Sequence, residues 1–174
     1  MIYSLQALGY EPKAHPVAFL ARLSRHWCSI AGEHSLPLSC DFRPEKFGRE
    51  LGLIAMVNVK EDCSFSNRLV GDVVASNLTM ASSSQCLNAI DNIDSRDTIL
   101  SLLSKTVEEK VPVLAHGTVM TRKQVSKSFD ALALPFAINK DNDKPDIILV
   151  GFKFDFCSTH LTTSQPNQNE TQPH

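Results

Sequence analysis

The order of periodic segments predicts an α/β domain of the α+β kind, with strand runs and helical runs grouped rather than strictly alternating. Three observations carry this. Apolar residues recur at helical steps between Pro16 and Gly32; two short runs rich in β-branched residues follow, joined by a polar turn; and three longer strand-like runs come after a helical middle.

Residues 1–14 are mixed in character and read as a loose lead-in or a short helix. From Pro16, the residues Val17, Leu20, Leu23, Trp27 and Ile30 fall on one helical face, with Arg22, Arg25 and His26 on the polar side. Gly32 supplies the stop, because glycine takes the left-handed conformation without steric cost. Leu36-Pro37-Leu38 is an extended connector, since proline disfavours helix in the residue before it. Asp41 is placed to cap a short helix over Pro44 to Leu51, where proline loses no needed donor in the first turn.

Leu53 to Val59 and Phe65 to Val70 read as a hairpin about Lys60-Glu61-Asp62-Cys63, with Phe65 and Leu69 on one face and Gly71 ending the second strand. The middle, Asp72 to Lys110, is helical and interrupted, and its best helix is Thr98 to Lys110 with Asp97 at its start. Val111 to Met120, Lys127 to Phe136 and Asp146 to Phe156 complete the strands. In the last, Val150, Phe152, Phe154 and Phe156 share a face opposite Lys153 and Asp155. Residues 158–174 are rich in Ser, Thr, Asn, Gln and Pro and are expected to be disordered, leaving 15–157 as the folded domain.

Bulk properties narrow the function classes. A chain of 174 residues, 43% hydrophobic and 21% charged, fits one globular domain. Its net charge is −2 and its Lys and Arg are scattered, so the footprint of a nucleic-acid binder is missing. The first ten residues lack a secretory pattern, and the run Ile147-Ile148-Leu149-Val150 is too short to cross a bilayer. A soluble cytoplasmic protein is expected. The five cysteines form no C-x-x-C pair, which argues for reduced thiols rather than a metal or disulfide framework.

Several residues stand in an ordered pattern: Trp27 on its helix, Leu36-Pro37, Asp41 with Pro44, Arg68-Leu69-Val70-Gly71, and the late Leu134-Pro135. This pattern resembles the single-domain bacterial PAS-fold family over about residues 15 to 156. The resemblance implies a PAS-like five-stranded antiparallel sheet with crossover helices on one face and N-terminal flanking helices. It further implies a sensory or regulatory role in signal transduction, through ligand sensing or protein–protein interaction, often as a dimer. The chain departs from the family in carrying Leu38-Ser39-Cys40 where basic residues are usual, and in lacking a glycine in Asn77-Leu78-Thr79-Met80-Ala81.

Candidate chemistry is sparse. Trp27 is read as a packing anchor in preference to a ligand-stacking group. Arg68 either binds an acidic ligand or, the favoured reading, pairs structurally with Asp41. Cys86 lies near the reactive cysteine of flavin photosensors but without their surrounding motif, and His116 is a poor haem ligand on a strand. No cofactor is required by the sequence, and haem and flavin are both disfavoured. No Gly-x-Ser-x-Gly, phosphate loop or His-Glu-x-x-His pattern is present, so no enzyme activity is expected.

A ligand pocket, if the protein has one, is placed between the concave sheet face and the helices around residues 73 to 110. Its expected lining is Met56, Arg68, Leu69, Leu78, Ile90, Leu103, Leu114, Leu132 and Phe152. The expected partners are a small-molecule ligand, and a second copy or signalling protein; no membrane insertion is expected. The alternative is a ligand-free dimerising adaptor.

Overall fold

The computed structural model describes residues 1–11, 15–32, 36–62, 64–78, 87, 93–121, 125–141 and 143–156. Among the described residues six strands form one antiparallel sheet: β1 (Ile2–Ala7), β2 (Ile54–Val59), β3 (Phe65–Val70), β4 (Val113–Met120), β5 (Ser126–Phe136) and β6 (Ile147–Phe156). Their spatial order is β1-β4-β5-β6-β2-β3. Helix α1 (Ala18–Ile30) precedes the hairpin, while α2 (Asp72–Leu78) and α3 (Ile93–Glu109) lie in the crossover from β3 to β4. The expected tail at 158–174 and Cys86 lie outside the described residues.

The sheet has six strands, not five, because part of the lead-in pairs with β4. Leu5 opposes Ala115 and Gln6 opposes Leu114. Gly117 makes the approach possible, since a side-chain carbon there would run into the Met1 carbonyl. Four of the six β1 residues are exposed, so this edge strand carries no clear apolar alternation for a sequence reading to detect.

Both faces of the sheet are covered. On the crossover side Ala55, Val57, Phe129, Ala131, Ile148, Val150 and Phe152 pack with Leu102 and Leu103 of α3. On the other side Leu132, Leu134, Phe136, Ile147 and Leu149 pack with Leu20, Leu23 and Trp27 of α1. That double burial explains the unbroken apolar run at Ile147 to Val150: alternate residues enter different cores.

Helix α1 seats where the sheet is bare. A side-chain carbon on Gly151 would meet the tips of Leu23, Leu20 and Phe19, so glycine is what lets the helix lie this close. Beyond its end Gly32 has φ 60°, the expected left-handed stop.

Three expectations need correction. Asp41 caps nothing: it lies in a separate 3-10 turn, Ser39–Asp41, and the 3-10 helix Pro44–Leu53 has no side-chain cap. Helix α3 starts at Ile93, five residues before Thr98, so Asp97 is interior and Asp94 is the first-turn acid. Phe65 and Leu69 do not share a face. The ladder shifts between Met56–Leu69 and Val57–Asn67, leaving Arg68 as an extra, unpaired residue, and the bulge reverses the phase of the strand. Phe65 is buried while Leu69 is 49% exposed.

Candidate functional site

The motif residues that lie far apart in sequence converge at the end of β5. Trp27 is 1% exposed, and its Nε1–H donates to the Pro135 carbonyl at 2.7 Å. The Ala137 N–H donates to the Pro37 carbonyl at 3.0 Å, and the Ser39 N–H donates to the Ala137 carbonyl at 2.9 Å. Residues 135 and 137 therefore direct their backbone groups away from β6, past the point where β4 ends at its Val113–Ala133 pair. A proline costs no ladder bond there, and the indole and the Leu36-Pro37 connector replace the absent strand. Trp27 is thus an anchor, as its helical spacing suggested.

His26 departs from the sequence reading, which put it on the polar side of α1. It is 8% exposed, packed against the Phe42 and Phe47 rings at centroid distances of 5.7 Å, and its Nε2 accepts the Arg43 N–H at 3.3 Å. Beside it an open groove is lined by Arg22, Arg25 and Lys46. Burial chiefly holds the His26 pKa below 6.5, with the Lys46 and Arg43 charges adding to the effect and Glu45 opposing it.

A group whose folded pKa is depressed stabilises fully above its unfolded value. That contribution is lost as pH falls through the folded pKa. Thermal stability is therefore expected to decline as pH is lowered from about 7 to about 5. His26→Gln keeps an acceptor but cannot titrate, so its melting temperature is expected to fall less over that interval. Equal slopes for both proteins would show that His26 is not the titrating group.

The expected pocket residues do not form one site. Leu78, Leu103 and Phe152 lie together in the crossover-side core. Met56, Leu114 and Leu132 belong to the opposite, α1-side core. Sheet alternation separates them, because the spacing alone left the facing of each strand open. Arg68 and Leu69 are exposed on edge strand β3. Arg68 and Asp41 form no ion pair among the described residues, and the bulge carries Arg68 outward where it needs none. Ile90 lies outside the described residues. His116 is exposed on β4, its Nδ1 3.0 Å from Asp130 Oδ1 across the strand pair. Among the described residues no three His, Cys, Asp or Glu side chains gather as a metal site would require.

A cavity of about 180 Å3 opens beneath α1, near the β1 edge of the sheet. Its floor is one row of directly opposed residues, Gln6 on β1, Leu114 on β4 and Leu132 on β5. The same row continues to Gly151, where the helix sits closest. Leu20 and Ser24 of α1 form the roof, and Leu8 and His15 close the side. The helix thus touches the sheet at Gly151 and stands off from it toward β1.

Ser24 is the unexpected member. It is 2% exposed, and its Oγ, itself closed off from water, has no hydrogen-bond partner of good geometry among the described residues. The neighbouring Cys28 thiol, whose pKa burial pushes up and the Ser24 hydroxyl pulls back, offers only a weak contact. Two sequence-expected residues, Leu114 and Leu132, border this cavity; Gln6, Leu8, His15, Leu20 and Ser24 carried no sequence signal for it.

Residues 16–150 match the PAS domain family model, and the chain belongs to that family. The class is a PAS-fold module of sensory and regulatory type, with an added edge strand. No curated protein and no solved structure matches the chain. No helix among the described residues is long and apolar enough to cross a membrane.

Proposed function

We propose that this chain is a signal-transduction module whose input is a small molecule held between the sheet and its helical cover. One observation carries the reading: a cavity of about 180 Å3 lies between α1 and the sheet, and its described lining combines four leucines with Gln6, His15 and Ser24. Hydrocarbon walls with a few polar side chains among them are what hold and orient small molecules in such sites. Helix α1 is also placed to report occupancy, because it roofs the cavity at Ser24 and is fastened to β5 by Trp27 one turn later.

Native mass spectrometry, an absorption spectrum and thermal denaturation of the purified chain test this. A bound mass, or a melting temperature that rises with added ligand by mass action, is expected. Bare protein in a tight dimer, unmoved by any small molecule, would instead establish the dimerising adaptor. That second reading has its own support in Leu51, Leu69 and Val73, which are 39%, 49% and 38% exposed near the crossing of Gly52 and Gly71 beside edge strand β3.

The crossover-side group of Leu78, Leu103 and Phe152 would take part in sensing only if a ligand lay on that face. Ligands that protect amides of β4, β5 and α1 in hydrogen exchange favour the α1 cavity over it.

A further inference from the structure

We infer that the groove between α1 and the 3-10 helix Pro44–Leu53 is an anion site, and that it takes a phosphoryl dianion, either inorganic phosphate or the head of a small phosphate monoester. It shares none of its described lining residues with the cavity under α1, so it stands or falls independently of the sensing reading.

The groove has a volume of about 360 Å3, and its described lining is Arg22, Arg25, His26, Ser29, Lys46 and Phe47. Helical geometry puts the first four on one side of α1, because residues three, four and seven apart share a face. Lys46 comes from the facing wall, the 3-10 helix. Phe47 fixes that wall by stacking on the Phe42 ring and packing against His26. The two walls meet across the His26 ring, close enough that the Lys46 charge acts on it.

This arrangement leaves positive charge unanswered. Arg22 is held by Glu50 at 2.6 Å. Arg25 and Lys46 are exposed and have no ion pair among the described residues. The other charges that act on His26, Glu45 and Arg43, are of opposite sign. An anion with two charges matches Arg25 and Lys46 together.

The buried His26 supplies a neutral donor. It is 8% exposed, and its Nε2 accepts the Arg43 N–H, so the proton of the neutral ring is on Nδ1. Nδ1 has no partner among the described residues, yet it is not one of the unpartnered polar atoms closed off from water. The groove is where it opens. Ser29 adds no proton, because its Oγ donates to the His26 carbonyl at 2.6 Å.

The donors are thus a guanidinium fork, an ammonium and a ring N–H. A guanidinium matches phosphate oxygens in pairs, and an ammonium adds a point charge. A phosphoryl group brings three acceptor oxygens to that set. A carboxylate brings two oxygens and one charge, which leaves a cation unanswered. An anionic bilayer or a nucleic acid needs a broad basic face, whereas this chain carries −2 overall with its Lys and Arg scattered.

The test is a titration of the full chain at about pH 8, where a phosphate monoester is a dianion. The probes are inorganic phosphate, phenyl phosphate, phenyl sulfate and benzoate, and amide NMR shifts of α1 and of residues 44–53 are followed. Phenyl sulfate keeps the tetrahedral head but carries a single charge. Saturable shifts are expected with both phosphates, and binding at least about fivefold weaker with phenyl sulfate and benzoate. Equal affinity for the two phosphates assigns the site to the free ion; tighter binding of phenyl phosphate assigns it to a monoester. Arg25→Gln and Lys46→Gln are each expected to weaken phosphate about three- to tenfold while the Trp27 indole resonance stays in place. Arg49→Gln removes a charge from the same 3-10 helix outside the described lining, and is expected to change affinity by less than about twofold.

No saturable shift with either phosphate overturns the inference. So does phenyl sulfate or benzoate binding as tightly as phenyl phosphate, or phosphate binding that Arg25→Gln and Lys46→Gln leave unchanged. A loss in Arg49→Gln equal to theirs overturns it too, because the anion would then be answering net charge and not this groove.

Discussion

Replacing Trp27 with alanine is expected to lower stability by about 3–5 kcal/mol, the range for emptying a large aromatic site. The side chain is 1% exposed, lies in the α1-side core, and meets the Tyr10 ring at 5.5 Å. It is also the donor for the Pro135 carbonyl. Trp27→Phe separates these roles. Phenylalanine keeps much of the apolar contact but leaves the carbonyl without its donor, which is expected to cost about 1–3 kcal/mol. Urea denaturation reads both variants as a lower midpoint with an unchanged slope. If Trp27→Phe were neutral, water would be reaching that carbonyl, and the indole would be serving as packing alone. The α1 cavity gives a further readout, since Ser24 is one turn from Trp27. If the chain is the small-molecule sensor proposed above, loosening α1 is expected to weaken ligand binding even where the protein remains folded.

The parts of this fold that could be read from sequence are those governed by local periodicity. Helix α1 announces itself through Leu20, Leu23 and Trp27 at helical steps, all three buried as that spacing requires. Strand β5 does so through Leu132, Leu134 and Phe136, which all enter the α1-side core. Strand β1 was hidden because it is an edge strand, mostly exposed, and held by backbone pairing to β4 rather than by an apolar face. His26 was misplaced because the aromatic wall that buries it comes from Phe42 and Phe47, beyond the helix that carries it. The cavity was illegible for a related reason. Its members come from β1, α1, β4, β5 and the stretch between β1 and α1, and only the register of Gln6, Leu114 and Leu132 aligns them. Long-range pairing of that kind leaves no trace in spacing along the chain. The order of Trp27, Leu36-Pro37 and Leu134-Pro135 was visible, but its cause was not. Those residues complete the backbone bonding of one strand end.

Gly71→Ala is the second substitution expected to do serious damage, and the reason is contact rather than backbone angle. The positive-φ glycines among the described residues are Gly9 and Gly32, so an ordinary alanine conformation would suit position 71. Space would not. A side-chain carbon there would come within the 3.0 Å that real ones avoid, against the Gly52 carbonyl and the Leu51 carbonyl oxygen. Those are backbone atoms, and they cannot swing aside as a side-chain tip can. The Gly71 N–H also donates to the Ile54 carbonyl at 2.8 Å, and its own carbonyl accepts from the Ala75 N–H at 2.9 Å. Any shift therefore strains the start of β2 and the first turn of α2 together. A loss of about 1–3 kcal/mol or more is expected. Gly52→Ala probes the reverse side of the same crossing. There the nearest obstacles are the Asp72 carboxylate and, at 3.3 Å, Val73 Cγ2. The carboxylate can rotate away at the expense of its 2.9 Å bond from the Val73 N–H, so a smaller loss of about 0.5–2 kcal/mol is expected. Gly48→Ala meets nothing within 4 Å and is expected to be neutral or slightly stabilising by restricting the unfolded chain. The ranking of the three by urea denaturation is the test, because a conformational explanation would treat them alike and a steric one cannot. Leu69 and Val73 flank Gly71 and are exposed beside it. Gly71→Ala is therefore also the substitution that would disturb the apolar surface on which the adaptor reading depends, while leaving the cavity under α1 at the opposite edge of the sheet intact.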